Sequence, residues 1–183
     1  MLDKEMTLKE IEFELNKHSD FLKIDMLVRF TDDILPNELK IEMYKKLMEL
    51  YKNNNMPFEA AKTSKNIAML ADSYKDKEKY YIAEAELYIM SGHLEKVNTA
   101  MKDAMSNANA TERENIIYTI KEFYKIQANT YENELKRRKA SEIYEKVLEM
   151  SLLPSERQKI KDKLLELYDK LGKTQEYFRL KNS

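Results

Sequence analysis

Between Tyr81 and Met105 the apolar positions run Tyr81, Ala85 and Tyr88, then, beyond Gly92, Val97, Met101, Ala104 and Met105. Steps of mostly three and four residues place such side chains on one face of a helix, whereas a strand would alternate. Gly92 falls where a helix ends in left-handed backbone, a conformation that costs glycine nothing. The stretch therefore reads as two helices, roughly 77–91 and 94–107, folded back to back around a tight turn.

The pattern continues in both directions. Thr7 and Glu10 have the spacing of a capping box and open a short helix through Ile11 and Leu15 to about Lys17. Ser19 or Asp20 starts a second helix bearing Phe21, Leu22, Met26, Leu27 and Phe30. It stops near Asp33, because Pro36 disfavours helical geometry at Leu35. A third begins at Asn37, runs through Tyr44, Leu47, Met48 and Tyr51, and ends at Asn53-Asn54-Asn55, since asparagine tolerates left-handed backbone. Pro57 suits the first turn of the next helix, expected to reach about Tyr74. Thr111 and Glu114 suggest another capping box, heading a long helix through Ile117, Ile120, Tyr124, Ala128 and Tyr131. The chain then reverses near Leu135 and returns through Ile143, Val147 and Leu148, with Pro154 closing that element. Ser155 and Gln158 open a helix ending at Gly172, and a last short helix holds Tyr177, Phe178 and Leu180.

Four tyrosines keep step with the reversals. Tyr51, Tyr88, Tyr131 and Tyr168 are separated by 37, 43 and 37 residues, and Asn55, Gly92, Leu135 and Gly172 each follow four positions later. Seven positions before them stand Tyr44, Tyr81, Tyr124 and Lys161; nine after stand Ala60, Val97, Ala140 and Tyr177. Spacing of this kind marks a repeat, whose hairpins bury their apolar faces only by stacking on neighbours. The segment Tyr44-x-x-Leu47-Met48-x-x-Tyr51, with the aromatic, small and turn positions that recur behind it, resembles the tetratricopeptide repeat over about residues 41–183. The match is divergent: the period exceeds the ~34 residues of that family, and Glu84-Ala85, Gln127-Ala128 and Leu164-Leu165 stand at its Leu-Gly position. The expected fold is all-α, and the resemblance implies stacked antiparallel hairpins forming a short right-handed α-solenoid with one concave side. One domain, 1–183, is expected, with a degenerate helix pair over 1–35 and a repeat stack over 37–183 whose last copy is truncated.

Composition narrows the possibilities. Two glycines and three prolines in 183 residues argue against a turn-rich sheet protein. Thirty-two basic against 33 acidic residues give a formal net charge of -1, without the excess positive charge of most nucleic-acid binders. No cysteine is present, which removes disulfides, thiolate ligands and cysteine nucleophiles. The charged opening Met1-Leu2-Asp3-Lys4-Glu5 lacks the apolar run of a signal peptide, and no stretch approaches the ~20 apolar residues of a membrane helix, so a cytoplasmic, membrane-free protein is expected.

Reactive constellations are not evident in the sequence. His18 and His93 have no neighbour at metal-ligand spacing, and His93 reads as a solvated turn residue. There is no Gly-x-Ser-x-Gly and no phosphate-cradling glycine loop, so no catalytic residue, metal or cofactor is expected, nor an enzyme. Lys136-Arg137-Arg138-Lys139 is the one dense basic run, flanked by Glu132, Glu134, Glu142 and Glu145. Some tetratricopeptide modules grip a peptide's C-terminal carboxylate with lysine, arginine and asparagine on the first helix of successive repeats. The resemblance places such a pair at Lys125 and Asn129, although Asp162, Lys163 and Glu166 on the next copy do not complete it. By the same analogy Lys45, Glu49, Ile82, Glu86, Ile89 and Glu132 face the concave side. Ile82 and Ile89 form an apolar patch there unless a neighbouring helix covers them.

Three functions follow in order. The first is a non-catalytic interaction module that holds a peptide or partner helix in a concave groove. The second is a self-assembling scaffold that associates through its apolar C-terminal end. The last is a nucleic-acid binder using Lys136–Lys139, ranked there on the balanced charge.

Overall fold

The computed structural model describes residues 2–182, and these form ten α-helices with no strand among them. They divide into two compact units, Met1–Arg113 and Glu114–Ser183. Unit 1 holds α1 (Leu8–Leu15), α2 (Asp20–Asp32), α3 (Asn37–Asn53), α4 (Pro57–Leu70), α5 (Tyr74–Ser91) and α6 (Leu94–Ala104). The division falls in the first turn of α7 (Ala110–Asn133), which is followed in unit 2 by α8 (Arg137–Leu148), α9 (Pro154–Leu171) and α10 (Thr174–Lys181).

Within each unit the helices pack on their neighbours in sequence, as in an α-solenoid: α2 on α3, α3 on α4, α4 on α5 and α5 on α6, then α8 on α9 and α9 on α10. Small residues let the backbones close up. Ala60, Ala61, Ala68 and Ala85 are all fully buried along α4 and α5, and the Ser64 hydroxyl donates to the Tyr80 carbonyl at 2.7 Å. Met43, Leu47, Ile67, Leu87, Ile89 and Val97 fill the remaining space in unit 1. Ile116, Ile120, Tyr124, Ala128 and Tyr131 form the buried stripe of α7, and Ile143, Val147 and Leu164 are core residues of α8 and α9. Each large aliphatic side chain so buried contributes roughly 1.5–3 kcal/mol.

The four reversals share one geometry. Asn55, Gly92, Leu135 and Gly172 all have positive φ, at 56°, 80°, 57° and 67°. In each case the next N–H reaches back to the tyrosine carbonyl: Met56 to Tyr51 at 2.8 Å, His93 to Tyr88 at 2.9 Å, Lys136 to Tyr131 at 2.8 Å and Lys173 to Tyr168 at 2.9 Å. This is the Schellman closure, which satisfies carbonyls that a helix end leaves without partners. All four tyrosines are buried. Leu135 adopts the left-handed backbone although a β-carbon there costs roughly 1–2 kcal/mol, so hairpin packing overrides the residue's own preference.

Several boundaries differ from the sequence reading. α4 stops at Leu70, and Tyr74 begins α5, where the Ser73 hydroxyl caps the Asp76 N–H at 3.0 Å. The box heading α7 joins Asn109 to Glu112, two residues earlier than Thr111 and Glu114, because an asparagine side chain also caps well. The core face of that helix carries Ile116 together with Ile120, and Ile117 is only half-buried. α6 ends at Ala104. Pro154 does not close α8, which ends at Leu148; it opens α9, where its missing N–H costs nothing.

Candidate functional site

The N-terminal halves of α3 and α5 stand apart, leaving an open groove of about 710 Å³ in unit 1. α3 contributes Glu38, Leu39, Ile41, Glu42 and Lys45, and α5 contributes Asp76 and Tyr80. Ile67 and Ala71, at the end of α4, complete an apolar floor, while Asp72 enters from the short α4–α5 connection. The volume lies in the range of ordinary ligand sites, and apolar surface with a few charged groups is their usual composition.

The charge on this groove is one-sided. Lys45 pairs with Glu42 at 2.6 Å, and that hydrogen bond holds the ammonium pKa above its usual value. Asp76 accepts from the Ser73 hydroxyl at 2.6 Å, where it also favours the N-terminus of α5. No ion pair among the described residues takes Glu38, Asp72 or Asp76. Glu38 and Asp72 thus border the apolar floor without a fixed counter-charge, while Asp76 lies within the field of Lys45.

Of the unit 1 positions expected from the sequence, Lys45 lies in this groove. Glu49 is exposed in a separate hollow of about 400 Å³ between α2 and α3, close to the α1–α3 ion pair of Glu12 and Lys46. Ile82 and Glu86 are half-buried and outside the groove; burial raises the Glu86 carboxyl pKa against the opposing charge of Lys52. Ile89 is fully buried and belongs to the core, so it cannot contribute to an exposed patch with Ile82. A helix one position out of register turns a side chain by about 100°, enough to move it from groove to core.

In unit 2, Lys125, Asn129 and Glu132 do meet on one face, but other residues of the chain already bind them. Lys125 pairs with Glu122 at 2.8 Å and with Glu156 of α9, which also takes Lys121 at 3.1 Å. The Lys125 hydrogen bond holds the Glu156 carboxyl below its usual range. Lys163 donates to Asn129 at 3.0 Å, to Glu132 at 3.1 Å and to the Tyr144 hydroxyl at 2.9 Å. Tyr144 in turn donates to Glu132, and burial together with that carboxylate pushes its hydroxyl pKa far up. Lys125 and Asn129 therefore brace α7 against α8 and α9.

His93 and part of the basic run also have partners within the chain. His93 is half-buried with its ring 4.2 Å from that of Phe58, and Ser91 lies 3.0 Å from its Nδ1, so it is not a solvated turn residue. Lys136 pairs with Glu134 at 2.7 Å and Arg138 with Glu142 at 3.4 Å, which takes up half of the basic run. Among the described residues no cluster of histidine and carboxylate could hold a metal ion, and no helix is long and apolar enough to cross a membrane.

Glu84, which the sequence marks only by its place at the Leu-Gly position, is buried by the fold. Glu84 is 2% exposed in unit 1, and its Oε2 has no hydrogen-bond partner. Burial pushes its carboxyl pKa up to about 7, Lys65 opposing and Asp103 adding to the shift, while those two residues sit 3.7 Å from each other. The available signal was a glutamate four positions before Tyr88, where Leu47 and Leu164 stand before Tyr51 and Tyr168. The acidic border was harder to find, because α3 and the α4–α5 connection supply it from more than 30 residues apart.

The chain matches no protein-family model, and no curated protein or solved structure is significantly similar to it.

Proposed function

We propose that this protein is a non-catalytic interaction module that holds a segment of another protein in the α3–α5 groove. The observation that carries this reading is the 710 Å³ opening between two helices that carry equivalent positions of the tyrosine pattern. Stacked hairpins commonly present such surfaces to partners, and a tetratricopeptide-like ancestry fits the same use. A photo-crosslinking residue at Leu39 should capture a partner in cells, while one at Met69, exposed on α4, should not. Equal capture at both positions, or none at Leu39, would remove the groove as the binding site.

Self-assembly is the second reading, and one observation favours it. α10 has no buried residue, and Phe178 is 54% exposed. Phe178→Ser should lower the light-scattering mass if copies associate there; a monomer at high concentration before the substitution sinks this reading. Nucleic-acid binding ranks last, on the paired state of Lys136 and Arg138.

A further inference from the structure

We infer that the segment held in the α3–α5 groove is cationic and amphipathic, with bulky apolar side chains flanked by lysine or arginine. This rests on the proposed interaction function and specifies its partner chemistry. The floor offers Leu39, Ile41 and Tyr80, with Leu8 of α1 beside them, and apolar area of this kind binds by excluding water. That floor would accept an apolar residue from any partner. The border decides which one enters.

Glu38 and Asp72 line the opening without an ion pair among the described residues; Lys45 is bound to Glu42 and its charge also acts on Asp76, so the four acids of the lining still outnumber its one lysine. A carboxylate in the incoming segment would meet like charge from both walls, whereas lysine or arginine would meet its complement. Charge placed this way acts mainly on partner choice and encounter rate, by rejecting the wrong sign. The same carboxylates disfavour a phosphate-bearing ligand, so nucleic acid does not fit here. The groove follows α3 from Glu38 to Lys45, about two helical turns or ~10 Å. Two anchors at positions i and i+4, with basic residues beside them, match that length.

The test uses a short helical peptide of leucine and lysine, a counterpart with glutamate at every lysine, and the full chain. Fluorescence anisotropy should show the lysine peptide binding at least about tenfold more tightly than the glutamate peptide, and weakening as salt rises from about 0.05 to 0.5 M. Glu38→Lys with Asp72→Lys should erase the preference for lysine. Glu38→Gln with Asp72→Asn should reduce it, and circular dichroism checks that each variant folds.

The remaining outcomes separate the two claims. Equal binding of both peptides, lost on Leu39→Asp, keeps the groove as a docking site and overturns the cationic partner. Lysine-peptide binding that neither double variant changes places the contact elsewhere and overturns both claims, as does binding of neither peptide. Self-association of the chain that the lysine variant abolishes would put a second copy in the groove and overturn a foreign partner.

Discussion

Counted from the tyrosine near the end of each helix, the pairs α3/α5 and α7/α9 carry three charges in the same places. Lys45 and Lys125 stand six residues before Tyr51 and Tyr131, with Glu42 and Glu122 nine before; Asp76 and Glu156 stand twelve before Tyr88 and Tyr168. In both pairs the lysine binds the glutamate of its own helix, at 2.6 Å and 2.8 Å. Beyond that the two regions part. Glu156 crosses to α7 and takes both Lys125 and Lys121, so α7 and α9 are pinned together. In α3 the residue matching Lys121, ten before the tyrosine, is Ile41. The matching acid, Asp76, is one methylene shorter and engaged with Ser73. Lys45 attracts Asp76 only through space and no ion pair among the described residues joins α5 to α3 at that level, so a groove with an apolar floor and an acidic border remains.

A second contrast lies one helix on. Thirteen residues after Tyr131, Tyr144 gathers Asn129, Glu132 and Lys163 around its hydroxyl; thirteen after Tyr88 stands Met101, which has no such group to offer. Around Tyr144 unit 2 uses its polar side chains for internal bracing, while unit 1 leaves carboxylates facing outward and keeps one, Glu84, inside with its Oε2 unpartnered. One repeat pattern thus supports a braced region and an open one, according to a few cross-helix charges.

The largest expected effect probes the unsatisfied acid of unit 1. Glu84 has a folded pKa near 7 against 4.5 for the free group, so below about 4.5 it is protonated both folded and unfolded and carries no charge penalty. As pH rises towards and through 7 the folded state must ionise a buried carboxylate, and stability falls, because the native form binds the proton more tightly. Glu84→Gln should therefore raise stability by on the order of 2 kcal/mol at pH 8 and change it little at pH 4.5. Denaturant melts at both pH values decide the matter; an equal effect at both would show that Glu84 does not titrate in this range.

Exchanging the residues that distinguish the two helix pairs comes next. Ile41→Lys should give Asp76 a second cation, as Lys121 does for Glu156, closing the groove and weakening lysine-peptide binding about tenfold, or ~1.4 kcal/mol. Lys121→Ile should free one bond of Glu156 and lower stability by only a few tenths of a kcal/mol, since partly exposed pairs are worth little. Unchanged peptide binding in the Ile41→Lys protein would refute the account of why the groove is open.

The smallest effect concerns the turns that both units share. Leu135→Gly should stabilise the protein by up to about 1 kcal/mol by relieving left-handed strain, offset in part by the freer unfolded chain. Leu135 is exposed, so little packing is lost. Gly92→Ala should cost a similar amount in the opposite direction, although nothing within 4 Å would obstruct the added β-carbon. Thermal melts showing no opposed shifts would mean that φ does not limit these turns.

Much of the fold was legible because it depends on short-range chemistry. The tyrosine spacing, the turn residue four positions later and proline at the start of α4 are all settled within about two turns of helix, and the four matching Schellman closures follow from them. The sequence reading places the cap of α7 two residues late because Asn109 and Thr111 are both competent caps; in the fold the reciprocal bonds of Asn109 and Glu112 take the helix start. The candidate site was less legible. Lys45 was found from its helix face, but Glu38, Asp72 and Asp76 gain meaning only when α3 and the α4–α5 connection lie side by side.

The sequence by itself determined the helices, their reversals and the buried tyrosines, since backbone preference and apolar period act between near neighbours along the chain. Only the tertiary structure decided which charges are consumed. Lys125 and Asn129 look as available in the sequence as Lys45 does, yet Glu156 and Lys163, more than 30 residues away, bind them. Coulomb attraction depends on distance through space, and sequence separation does not fix that distance.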